Sequence, residues 1–248
     1  MREDKPRALD LFCKAGGVTK GLQRAGFYVI GLDIEPQPHY CGDEFVLGDA
    51  LDFRFSWTGE FVGGSMDRSP ECCDRCGLDW DHHFDFVWAS PPCQGYTSMN
   101  QRWNVKRDLH PRLIEPVRNK LDKSGTPYAI ENVSGAPLIR PTVLCGQFFG
   151  LSVRRHRKIE TSFAVFQPDC RPFHKPMPIA VYGDHPERHA PRRPGNGGYV
   201  NRAHDVEMAS EAMGIDWMNW RELTQAIPPA YSEYIGREFL RCRQEIAA

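Results

Sequence analysis

Apolar residues along this chain come in short runs that stop, again and again, at an acidic, thiol or amide side chain. Ala8-Leu9-Asp10-Leu11-Phe12 is too short for a helix and predicts a buried strand. The turn Lys14-Ala15-Gly16-Gly17 follows, then a helix over 18–25 that Gly26 is placed to terminate. Tyr28 to Leu32 predicts a second strand ending at Asp33, and Phe45-Val46-Leu47 a third ending at Gly48-Asp49. A fourth, Phe84 to Ala89, stops at Ser90-Pro91-Pro92 and leaves the Cys93 thiol just beyond its end. A fifth, Tyr128-Ala129-Ile130, closes on Glu131-Asn132-Val133. Strands separated by helical stretches indicate an α/β fold, and open α/β sheets bind ligands outside the carboxyl ends of their strands. That is where these reactive residues fall.

Between the fourth and fifth strands, Pro111 predicts a helix start with Leu113, Ile114, Val117 and Leu121 on one face, kinked or delayed by Pro116. From about 166 to 219, prolines, glycines, His174, His185, His189 and Arg192-Arg193-Pro194-Gly195 predict loops rather than a regular element. Helical spacing returns over 220–246, broken at Pro228-Pro229, and no internal repeat is evident. The organisation expected is one domain made of 1–165 and 220–248, with 166–219 inserted.

Composition narrows the class. The 248 residues are 41% hydrophobic and 25% charged, which suits one sizeable core. No run approaches the roughly 20 apolar residues needed to span a bilayer, and the first residues resemble no signal segment, so a cytoplasmic monomer with no membrane partner is expected. Nine cysteines, an odd number in scattered contexts, read as thiols or metal ligands rather than a disulfide framework. A formal charge of −1 is less basic than most nucleic-acid binders. Contact with nucleic acid therefore rests on local patches, Arg102 to Lys123 and Arg154 to Lys158.

The chemistry divides into two halves. A glycine-rich turn lets a ligand approach backbone N–H groups, and an acid ending the second strand, Asp33, can take both ribose hydroxyls of a nucleoside. The G-x-G-x-x-G spacing of a dinucleotide site is absent, which favours S-adenosylmethionine over NAD. In the other half, a thiolate at Cys93 adding to C6 of a pyrimidine would activate C5 toward an electrophile. Glu131, with a raised pKa, would serve as the acid near N3, while Arg155 and Arg157 would hold the base and favour the thiolate.

The order of these motifs resembles the cytosine-C5 DNA methyltransferase family, especially the short bacterial and bacteriophage forms linked to restriction-modification. The resemblance covers Ala8 to about Ile159 and again Leu223 to Leu240. It implies a Rossmann-like methyltransferase fold with a small, loop-rich recognition segment at 166–219. Asp10-Leu11-Phe12-Cys13-Lys14-Ala15-Gly16-Gly17 looks like the first motif, which places Phe12 against adenine and Asp49 on the adenine amino group. It further implies that Ile34, Ala50, Pro91 and Ala226 line the donor pocket, with Gln225 of Thr224-Gln225-Ala226-Ile227-Pro228-Pro229 standing where an asparagine helps seat the cofactor. The segment after Cys93 resembles the mobile loop that closes over a flipped base, with Gln94, Tyr96, Arg102, Lys106 and Arg107 as candidates for contact with duplex DNA. Two further departures are Lys14, where the family usually has a small residue, and Val153, in place of a glutamine.

The reaction expected is methyl transfer to C5 of cytosine in DNA with a short or relaxed target. Alternatives are the same chemistry on a tRNA cytosine, transfer of a carboxymethyl group from carboxy-S-adenosylmethionine met by Lys14, or a non-catalytic nucleic-acid-binding module. A separate constellation, Cys73-x-x-Cys76-Gly77 followed by His82-His83, has the spacing of half a zinc knuckle, with His82 as a third ligand to a structural zinc.

Overall fold

A computed structural model of the chain describes residues 5–53, 56–57, 83–96, 110–169, 178–183 and 201–247. Strand β1 (Arg7–Leu11) leads through a tight turn into helix α1 (Gly17–Ala25), and Gly26 ends that helix at φ +110°, a left-handed conformation that glycine adopts at no steric cost. Then come β2 (Tyr28–Asp33) and β3 (Glu44–Leu47). The two-residue strands β4 (Ser56–Trp57) and β5 (His83–Phe84) pair with each other in parallel. β6 (Phe86–Ala89) precedes α2 (Ile114–Ser124), β7 (Tyr128–Asn132), β8 (Thr142–Leu144) and β9 (Arg157–Thr161).

Seven strands form one sheet in the order β3-β2-β1-β6-β7-β9-β8. Its first five members run parallel, while β9 is antiparallel to both β7 and β8. Connections run outward from β1 in one direction through β2 and β3 and, after the chain returns, in the other through β6 and β7. The crevice between β1 and β6 is thus the topological switch point, where open α/β sheets take their ligands.

Period-two alternation gives the sheet two buried faces. Leu9, Leu11, Ile30, Leu32, Val87 and Ile130 pack with Val117 and Leu121 of α2. Ala8, Val29, Phe86, Trp88 and Ala129 face the other way, against Val18 and Leu22 of α1 and the long helix α5 (Pro229–Ala247). Helices α1 and α5 meet backbone to backbone. A Cβ at Gly21 would lie 2.0 Å from the Pro229 carbonyl oxygen, and Ser232 Oγ donates to the Val18 carbonyl at 2.8 Å. The C-terminal helix therefore folds back over β1, as its sequence implies.

One expectation is narrowed and one changes. The helix starts at Ile114 rather than at Pro111, a delay that leaves Pro116 in the first turn, where a missing N–H costs no intrahelical bond. The stretch expected to be loops contains β10 (Ile179–Ala180), β11 (Asn201–Arg202) and a regular helix, α3 (Val206–Met213). Asp205 caps α3 by accepting from the Met208 N–H at 2.7 Å, and Gly214 ends it. Ala209, Ala212 and Met213 pack with Trp220 and Leu223 of α4 (Trp220–Gln225), and also with Ala15 and Val153. Val153 is a buried apolar contact in this third cluster. No helix among the described residues is long and apolar enough to cross a membrane.

Candidate active site

The turn after β1 is built from unusual backbone. Phe12, Lys14 and Gly16 all have positive φ, at +62°, +47° and +84°. For Phe12 and Lys14 that conformation is strained, a cost typical of functional turns. It turns the Lys14 N–H onto Asp33 Oδ2 at 3.1 Å, while the Glu35 N–H reaches Asp33 Oδ1 at 3.1 Å. The acid ending β2 is thereby fixed beside the glycine turn. The Lys14 ammonium bonds Glu35 at 3.2 Å and lies 3.6 Å from Asp33, so two carboxylates already engage its charge. Gly17 brings α1 onto the closing motif, Thr224 to Pro229: a Cβ there would stand 2.4 Å from the Ile227 carbonyl oxygen. Asp49 is exposed at the end of β3 and accepts from the Leu51 N–H at 2.8 Å.

Asp10, which the strand pattern hides among apolar neighbours, is fully buried on the wall of the same pocket. One oxygen accepts from Thr19 Oγ1 at 2.6 Å; the other, Oδ1, has no hydrogen-bond partner among the described residues. Burial raises this carboxyl to about 7, against the Thr19 hydrogen bonds that lower it.

The reacting half grows from the ends of β6 and β7. Ser90 is tied to β1 through its N–H to the Leu11 carbonyl at 3.1 Å. Pro91 and Pro92 then restrict the backbone, and Asn132 Nδ2 anchors it by donating to the Pro91 carbonyl at 2.8 Å. Cys93 is consequently presented on a braced turn, half-buried and free. Glu131, buried on β7, accepts from Arg157 Nε at 2.9 Å across the antiparallel pairing with β9. Burial pushes the Glu131 carboxyl above its usual range, opposed by Arg157, Arg155 and a Ser90 hydrogen bond. Burial also raises the Cys93 thiol, Glu131 raises it further, and Arg157 and Arg155 pull it only partly back. Thiolate character at Cys93 is thus not paid for by the arginines alone.

Arg155 takes a different part from the one its sequence suggests. Its guanidinium donates to the backbone carbonyls of Ala226 at 2.8 Å, Thr224 at 2.7 Å and Val181 at 3.2 Å. Burial and the neighbouring Arg157 lower it to about 9, and it stays charged at neutral pH. It fastens the closing motif and the segment carrying β10 to the loop that precedes β9. Tyr96 likewise turns inward, accepting from the Ile114 N–H at 3.3 Å at the start of α2.

One cavity of about 580 Å³ is lined at once by both halves. Phe12, Lys14, Ala15, Gly17, Asp33, Ile34, Asp49, Ala50, Gln225 and Ala226 border it together with Pro91, Cys93, Gln94, Glu131 and Arg157. Gly16 and Arg155 support the wall rather than line it. The lining also includes Asp10, Ser90, Met218 and Glu222, which sequence reasoning missed. Glu222 closes one rim by meeting His39 Nδ1 at 2.9 Å. Arg102, Lys106, Arg107 and the proposed zinc ligands Cys73, Cys76 and His82 lie outside the described residues. Among the described residues no group of three or more His, Cys, Asp or Glu side chains is placed to hold a metal.

No protein-family model matches the chain. It is similar to Type II methyltransferase M.XorII of Xanthomonas oryzae pv. oryzae, at 27% identity over 133 residues, 53% of this chain. It is also similar to Type II methyltransferase M1.HphI of Haemophilus parahaemolyticus, at 32% over 90 residues, 36% of this chain. These matches span 29% and 21% of the relatives' own length. Among solved structures, a proposed DNA modification methyltransferase encoded within an E. coli prophage superposes with a TM-score of 0.61 at 13% identity, over 97% of this chain and 100% of that one. The S. pombe Dnmt2 methyltransferase gives 0.52 at 11% identity, over 97% and 99%. The fold is a methyltransferase fold. Its seven-stranded, mostly parallel sheet is Rossmann-like, and the cavity lies at its switch point.

Proposed function

We propose that this chain transfers a methyl group from S-adenosylmethionine to C5 of cytosine in duplex DNA through a covalent Cys93–C6 adduct. The observation that carries the reading is the single cavity in which Cys93 and the Glu131–Arg157 pair stand beside Asp33 and Asp49. A nucleoside sulfonium fits the other wall. Asp33 can accept from ribose hydroxyls, Phe12 and Ile34 offer apolar surface, and the orphaned Asp10 Oδ1 is a buried acceptor suited to an ammonium group. When bound, such a donor supplies an electrophilic methyl group.

Cys93 Sγ forms the bond to C6 as its proton leaves, and Glu131 delivers a proton to N3, which draws the ring's electron pair away from C6. Arg157 keeps the carboxyl aimed at the base. C5 then takes the methyl group, its own proton passes to solvent, N3 returns its proton to Glu131, and the returning electron pair expels the Cys93 thiolate. The braced Pro91-Pro92 turn keeps the sulfur in place for both steps, a positioning effect. Both carboxylates near the Lys14 ammonium compete with any carboxylated donor, which supports the simple sulfonium over the carboxymethyl alternative.

The test is DNA containing 5-fluorocytosine, whose fluorine cannot leave as a proton does. A stable protein–DNA adduct that requires both the donor and Cys93 is expected. Nucleoside mass spectrometry showing modification confined to tRNA, or a carboxymethyl product, would overturn the reading.

A further inference from the structure

Glu131 must reach the base holding a proton, yet two donors are directed at it, and one of them has no place in the mechanism so far. Trp88, fully buried in β6, donates its indole N–H to Ser90 Oγ at 2.9 Å. An indole N–H can only donate, whereas a hydroxyl has one proton to give and lone pairs to receive. With an acceptor position taken by Trp88, the Ser90 proton is free for its other partner, the Glu131 side chain. The Ser90 backbone is itself held by the Leu11 carbonyl, so the hydroxyl is fixed from both ends.

We infer that Ser90, its hydroxyl locked by Trp88, is a positioning residue that aims the Glu131 carboxyl and tunes how readily it gives up its proton. The inference rests on the proposed role of Glu131. The groups facing Glu131 are Arg157 on β9, Arg155 on the preceding loop, Cys93 beyond β6 and Tyr231 on α5. Burial opposes the carboxylate most strongly, while Arg157, Arg155 and the Ser90 donor all favour it. A donor stabilises the ionised form; losing it makes the carboxyl a weaker acid. An enzyme that needs Glu131 protonated then stays active to higher pH.

Ser90→Ala should therefore move the alkaline limb of the kcat profile up by about one pH unit, the scale set by one lost hydrogen bond to a charged group. Ser90→Thr, which keeps the hydroxyl, should return it. KM for donor and DNA should hardly change. Ser90→Ala also lowers the melting temperature, because the buried Trp88 N–H loses its acceptor, and Ser90→Thr should restore that as well. A second readout needs no catalysis: the protonated-carboxyl infrared band, taken as wild type minus Glu131→Gln, should titrate at higher pH in Ser90→Ala. A limb and a band that both stay in place overturn the assignment of Ser90. A shifted band in a protein that methylates nothing overturns the catalytic reading while the Ser90–Glu131 coupling stands.

Discussion

Arg155 and Thr224, 69 positions apart in the chain, are joined by an Nη2-to-carbonyl hydrogen bond of 2.7 Å. Because the same guanidinium also holds Ala226 and Val181, it braces the wall of the donor pocket from behind. Arg155→Met should weaken binding of the donor or its demethylated product about tenfold, the scale of one lost charge-assisted bond. Arg155→Lys should recover little, since an ammonium cannot reproduce the planar fork. Calorimetric titration without DNA measures this, and unchanged affinity would show that the closing motif holds itself.

Cys93 and Glu131 constrain each other's protonation. Ionised Glu131 raises the Cys93 thiol, and its removal also frees the Arg157 charge to favour the thiolate. Glu131→Gln should thus speed alkylation of Cys93 by iodoacetamide several-fold near pH 8, even as turnover falls by the roughly 10²–10⁴-fold expected for a lost general acid. Peptide mapping by mass spectrometry reads the first, and a slower reaction would contradict the coupling. Cys93→Ala should abolish transfer with donor binding intact.

Asp10 predicts a pH dependence of stability. Its folded-state ionisation lies at about 7, raised by burial. A carboxyl raised in this way contributes its full stability below its unfolded value of about 4 and loses it as pH climbs toward 7. Asp10→Asn removes the titration, so its melting temperature relative to wild type should rise between pH 4 and 7.5. Calorimetric scans at several pH values check the slope; a constant difference would mean that Asp10 does not titrate in this window.

On the proposed reading the segment at 166–219 selects the target, and its length of about 50 residues gives room for few groove contacts. Modified cytosines should fall in a context of about two to four defined bases. Duplex affinity should drop steeply with salt, with a log–log slope of about −0.9 per phosphate neutralised. Bisulfite sequencing of plasmid DNA after expression tests the first point. A site of six or more fixed bases would contradict it.

Much of this was legible in the chain because the signals are local. Gly26 marks a helix end, Asp33 a strand end, and Pro91-Pro92 a braced turn, each through constraints acting over a few residues. Arg155 illustrates what stays hidden: an Arg-x-Arg run reads the same whether the guanidinium faces a base or carbonyls of Thr224 and Ala226 far along the chain. Asp10 was concealed because a strand tolerates one polar residue at an inward position when Thr19 answers it from α1. The helix α3 announces itself through Asp205 and Gly214, but eight residues following a Pro- and Gly-rich stretch give periodicity little room.

The pairing of β7 with β9 places Glu131 opposite Ile159, and two residues along the same face stands Arg157. A slip of one residue would turn Arg157 to the far side of the sheet. The three-residue strand β8 flanks β9, pairing through Thr142, Val143 and Leu144 while the Leu144 side chain packs in the core. The partnership of acid and cation is thus stored as alignment, much as a reading frame stores meaning. A change along β8 that moved this register would part the acid from its cation without touching either residue.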